Sequence, residues 1–145
     1  LFLSKVIFMK RKIASLFIMF LCVSSLIGCI GGPESTPDET LGNYISYYNA
    51  GEFNQIYDEL LSVEVKEKYS KDEFYNMNSI SEATFHIEDY EITDRTEENN
   101  SVILTVDVSW NVEALDIQRT KTYNIEFVVD DNRWKMNDIL RPIEI

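Results

Sequence analysis

The sequence predicts an α+β domain in which N-terminal helices pack on a curved antiparallel sheet of about four strands. Two observations carry that expectation. Between Thr36 and Ser81 apolar residues recur at helical spacing behind capping residues, and after Ser81 they alternate with polar ones at the period of a strand. Helices first and strands afterwards argues against alternating units around a parallel sheet.

The first helix starts at Thr36, where Thr36 and Glu39 form a capping box, Pro37 takes the first helical position and Asp38 and Glu39 suit the positive end of the dipole. Leu41, Tyr44, Ile45 and Tyr48 make its apolar stripe, and Gly51 ends it in the left-handed conformation. A second helix sets Phe53, Ile56, Tyr57, Leu60 and Leu61 on one face. A third begins at Ser70, where Ser70 and Glu73 repeat the capping box ahead of Phe74 and Met77.

Phe85 and Ile87 open the first strand, and Tyr90 and Ile92 continue it one residue out of step, which places a bulge near Glu88 or Asp89. Val102, Leu104, Val106, Val108 and Trp110 alternate through the second strand. Tyr123, Ile125, Phe127 and Val129 form the third, and Trp134 and Met136 the fourth. Glu97-Glu98-Asn99-Asn100 and Asp130-Asp131-Asn132 read as hairpin tips, with the third connection at 114–117.

Ahead of the domain lies Lys10-Arg11-Lys12, then an apolar run from Ile13 to Ile27 ending in Leu26-Ile27-Gly28-Cys29. A positive stretch, a short apolar stretch and small residues at a cut are the parts of an export signal. The last four residues resemble the lipobox of bacterial and archaeal lipoproteins, in which Cys29 would become the lipid-bearing N-terminus. A permanent transmembrane helix needs about 20 apolar residues, more than this run supplies. The expected division is a signal peptide over 1–28, with 1–8 a start-site extension, a lipidated cysteine and linker over 29–35, and one domain over 36–145. Cys22 leaves with the signal, so Cys29 stands alone and lipid explains its thiol. The expected address is the extracytoplasmic face of the cell membrane.

The first 28 residues hold four of the 13 basic residues and none of the 25 acids, which leaves the remainder a formal charge of −16. Nucleic acid binding is driven by basic side chains displacing counterions, so nucleic acid is excluded as a partner.

The Tyr-bearing capped helix, the Asn49-Ala50-Gly51-Glu52-Phe53 turn into a second helix, the short third helix and a meander closing on Trp134-Lys135 together resemble the nuclear transport factor 2-like superfamily. They are most similar to its exported lipoprotein members, near the lumazine-binding-like domains of unknown function. That resemblance implies a cystatin-like cone whose sheet and first helix enclose a cavity, used in some members for small apolar molecules and in others as an enzyme site or scaffold. It also implies a possible homodimer through the sheet's outer face.

Tyr44, Tyr48, Tyr57, Trp110 and Tyr123 are the candidate ligand-binding residues, because Tyr and Trp combine apolar area with one hydrogen-bonding tip and all five are expected to face one interior space. The competing reading is that they fill the core. His86 is the only histidine and alternates away from Phe85 and Ile87, toward the other face of its strand. Asp107 and Glu126 are likewise flanked by apolar residues and turned outward by regular pleating. No catalytic residue, metal ligand or cofactor is therefore assigned. Asn99-Asn100-Ser101 is a glycosylation acceptor sequence at a hairpin tip. The expected role is a membrane-tethered module that holds a small apolar ligand or docks an envelope protein, with an isomerase- or dehydratase-like enzyme and a structural spacer as alternatives.

Overall fold

A computed structural model describes residues 32–112 and 115–142. Cys29 and the leader lie outside them. Helix α1 (Pro37–Asn49) opens on the expected box: Thr36 Oγ1 accepts the Glu39 N–H at 3.2 Å, and Glu39 Oε2 accepts the Thr36 N–H at 2.9 Å. Leu41, Tyr44, Ile45 and Tyr48 are all buried, as their spacing requires. Gly51 follows at φ +71°, where a side chain would be strained.

The second helical segment departs from ideal form. A single turn, α2 (Phe53–Gln55), widens into a π-helix, Ile56–Leu60. The wider turn buries both Ile56 and Leu60, and Leu61 then leaves as a parallel bridge to Met136. Lys135, only 8% exposed, reaches under it to donate to the Glu59 carbonyl. Burial, with Lys66 and Arg133 nearby, holds its ammonium below the usual lysine range.

A further short helix, α3 (Val63–Lys68), lies between the second and third expected helices. Ser62 Oγ caps it by accepting the Val65 N–H at 3.2 Å and donates to Asn137 Oδ1 at 2.7 Å. Helix α4 (Lys71–Glu82) carries the second capping box, in which hydrogen bonds from Ser70 hold the Glu73 carboxyl below its ordinary range.

Four antiparallel strands follow in sequence order: β1 (Phe85–Glu98), β2 (Ser101–Val112), β3 (Ile117–Asp130) and β4 (Arg133–Met136). β2 buries every second residue from Val102 to Val112, and its register with β3 is unbroken. β1 slips twice, between Ile87 and Asp89 as its apolar spacing predicts, and again between Ile92 and Asp94. Asn49 secures the strand beside the first slip: its Nδ2 donates to the Ile87 carbonyl at 2.7 Å and its Oδ1 accepts the Ile87 N–H at 3.0 Å. The Asn49-to-Phe53 turn therefore has three parts, a clamp, a left-handed corner and a buried ring. Asp131 and Asn132 have φ of +50° and +58°, as a two-residue hairpin needs. Beyond the first slip β1 turns mostly to solvent, with Ile92 still against the core and Tyr90 36% exposed beside Gly42 of α1.

Candidate functional site

α1 and the middle of the sheet bring four of the five candidate aromatics together. Tyr44 and Tyr48 are one helical turn apart and stack at 6.4 Å between ring centres. Tyr48 meets the Trp110 ring edge-on at 5.7 Å, and Trp110 lies 6.5 Å from Tyr123. Phe53 and Phe85 close the group, at 5.7 Å from Tyr48 and 6.4 Å from Trp110. These separations are contact distances for aromatic pairs.

The polar tips differ in how they are satisfied. Trp110 Nε1 donates to Tyr123 Oη at 3.0 Å, and Tyr123 Oη donates to the Arg141 carbonyl at 2.5 Å. Burial pushes the Tyr123 phenol up to about 12, against the pull of the Trp110 hydrogen bond. The Tyr44 and Tyr48 hydroxyls are fully buried with no well-formed hydrogen bond among the described residues, although the Leu140 backbone lies close enough to the Tyr44 oxygen to offset part of the effect of burial. Burial raises both above the ordinary tyrosine range, Tyr44 further by Tyr48 and Tyr48 further by Glu82.

Tyr57 stands apart. Its ring packs 5.8 Å from Phe74, and its hydroxyl donates to the Tyr69 carbonyl at 2.9 Å, tying the π-helix to the end of α3. Three clefts among the described residues lie away from the five aromatics. One of about 220 Å³ lies among Val65, Tyr69, Ile139 and Arg141. A shallower one of about 630 Å³ lies among Asp38, Glu39, Asn43 and Tyr90, and a third of about 200 Å³ beside Thr40, Leu60 and Trp134.

The titratable strand residues do not converge. Asp107 accepts from Thr122 on the outer face, and Glu126 accepts the Asn137 Nδ2 at 2.8 Å. His86 sits half-buried on the edge strand opposite Asn111. Asn99 occupies its hairpin tip, exposed, with φ +29°.

The profile of the NTF2-like N-terminal transpeptidase domain matches residues 36–138. The chain belongs to that family. Its NTF2-like fold is the expected one, with helices on a four-stranded antiparallel sheet. Among solved structures it is similar to a SEC-C motif containing protein from Rhodopseudomonas palustris, with a TM-score of 0.60 and 12% identity over 71% of this chain and 76% of that one. It is also similar to a Campylobacter jejuni protein named as an NTF2-like transpeptidase, with a TM-score of 0.52 and 14% identity over 72% of this chain and 100% of that one. At such identities these likenesses concern the fold. No curated protein matches this NTF2-like chain. Its 145 residues contain no Ser-x-x-Lys, the nucleophile motif of penicillin-binding transpeptidases.

Four features of the NTF2-like domain were not anticipated from sequence: the π-helix, α3, the Asn49 clamp and the buried Lys135. Only α3 carried an overlooked local signal, Ser62 at a capping position with Glu64 and Lys68 spaced to pair across one turn.

Proposed function

We propose that this chain is an accessory module held on the outer face of the cell membrane by lipid on Cys29, and that it acts by docking a neighbouring envelope protein. The observation that carries this reading is the aromatic interior. Tyr44, Tyr48 and Trp110 are each 0% exposed and packed ring against ring, so they present their area to one another. The family description adds support, because a domain at the N-terminus of transpeptidases is one that accompanies an enzyme.

The path of the chain is consistent with the tether. The Glu34 N–H donates to the Asn132 carbonyl at 3.0 Å and Arg133 pairs with Glu34, so the chain enters beside the β3–β4 turn. Lipid on Cys29 would keep that end nearest the bilayer.

A second reading, a small and largely apolar ligand held beside Tyr44 and Tyr48, is favoured by their two partnerless hydroxyls, since buried polar groups are ordinarily satisfied. An isomerase- or dehydratase-like enzyme draws no support from Asp107, Glu126 and His86, which face away from that interior. The tether is tested by feeding radiolabelled lipid precursor to cells that make the chain or its Cys29→Ser variant. Label and membrane retention are expected for the first and lost in the second; an unlabelled parent, or a variant still retained, contradicts the reading. Native mass spectrometry of the Cys29→Ser chain separates the two occupancy readings, with a bare polypeptide mass favouring docking and a retained adduct favouring the ligand.

A further inference from the structure

The sheet has an open edge along β3. Among the described residues, β4 pairs only with Phe127–Asp130, so the stretch from Ile117 to Ile125 has a strand on one side alone. The Glu126 carbonyl points to the other side, where it accepts the Asn137 N–H at 2.8 Å. Strand periodicity then turns the N–H and C=O groups of Gln118, Thr120, Thr122 and Asn124 to that open side.

The opposite edge is defended differently. β1 is broken by two register shifts and carries Glu88, Asp89, Glu91, Asp94, Glu97 and Glu98, devices that discourage strand addition. β3 has no such break against β2. It carries cations instead. Arg119 and Lys121 lie on the core-facing side of β3, and among the described residues neither meets a carboxylate. The Lys121 ammonium lies 4.8 Å over the Tyr123 ring and donates to the Arg141 carbonyl at 3.4 Å. Among the other described cations, Lys68, Lys71, Arg95 and Arg133 each have an acidic partner, while Lys66, Lys135 and Arg141, none of them on this strand, donate to carbonyls or a phenol. In a chain with 25 acidic residues, two cations without carboxylates on one open strand form a local reversal of sign. Leu115 and Ile117, 53% and 37% exposed, flank them at the hairpin end.

We infer that this edge takes an extended acidic segment of a partner protein as a fifth strand. Its carboxylates, at alternate positions, face Arg119 and Lys121, and an apolar residue covers Leu115 and Ile117. Backbone pairing supplies the attachment and the charges select the sequence. A second copy fits poorly, because β3 against β3 would oppose the same cations and β1 is kinked. The inference rests on the docking reading above and gives it a surface and a partner chemistry.

The test uses the full chain and two synthetic peptides, one alternating glutamate with threonine and ending in leucine, the other with lysine for glutamate. Fluorescence anisotropy should show binding of the glutamate peptide alone, and hydrogen exchange should slow at the amides of Gln118, Thr120, Thr122 and Asn124. Arg119→Glu with Lys121→Glu should reverse the preference. Thr122→Pro, which removes an edge-facing N–H, should weaken binding about tenfold or more. If the proline variant fails to fold by circular dichroism, the charge-reversed variant still decides. No binding, equal binding of both peptides, or those amides slowing without peptide as chain concentration rises would overturn the inference, the last by showing a second copy on the edge. Cys29 takes no part in this measurement, so the tether and the edge can fail independently.

Discussion

The interior and the open edge are built from the same two strands, yet they use opposite chemistry. On β2 and β3 the residues facing α1, Leu104, Val106, Trp110, Ile125 and Phe127, are buried and apolar; of the aromatic tips there, those of Trp110 and Tyr123 are bonded within the molecule and those of Tyr44 and Tyr48 are not. A few residues along β3, Arg119 and Lys121 stand on the same face without a helix over them. What differs is cover. Where helices lie on the sheet the face is closed by packing, and where they stop β3 carries polar and charged groups, with Lys121 held only by the Tyr123 ring and the Arg141 carbonyl.

Substitutions on the two regions should separate sharply. Trp110→Ala removes the ring that Tyr48, Phe85 and Tyr123 pack against, and should cost about 3–5 kcal/mol in urea unfolding. Arg119→Ala on the edge should stay within about 0.5 kcal/mol. Equal losses at both positions would erase the distinction.

Alkali should reach the interior first. Tyr44, Tyr48 and Tyr123 are protonated phenols whose folded values are raised above the ordinary 10.0, Tyr123 to about 12. The stability tied to them is intact below pH 10.0 and is lost as pH rises toward about 12, because the unfolded chain gives up those protons sooner. Circular dichroism followed against pH should show unfolding in that window, and Tyr48→Phe, which breaks no hydrogen bond, should move it upward.

Asn49→Ala probes how the helix layer holds the kinked strand. It strands the Ile87 N–H and carbonyl beside the first slip, and should cost about 1–3 kcal/mol in thermal or urea unfolding. Gly51→Ala, at φ +71°, should cost about 1 kcal/mol by the same measurements, the smallest loss among the core-supporting positions.

How much of this was legible depended on how local the cause was. The α1 cap, its buried stripe, the β2 alternation and the first β1 slip are set by residues within a few positions of one another, so spacing alone revealed them. The π-helix was hidden because Ile56 and Leu60 carry ordinary helical spacing; the turn widens to meet β4, a partner far along the chain. The burial of Lys135 was not readable locally, because the Glu59 carbonyl that takes its ammonium is far away in the chain. Of the candidate site, Tyr44, Tyr48, Trp110 and Tyr123 do meet, but Tyr57 turns to Phe74 because the π-helix rotates it away from α1.

The tyrosine hydroxyls give the most direct measurement. A Tyr44→Phe, Tyr48→Phe double variant keeps both rings and deletes only the two buried, unbonded oxygens. If the interior is closed by its own side chains, the chain's thermal unfolding midpoint should stay the same or rise, since no hydrogen bond is lost. A clear fall in the midpoint would mean that those hydroxyls hold something in the native protein, and would contradict an interior filled by the chain itself.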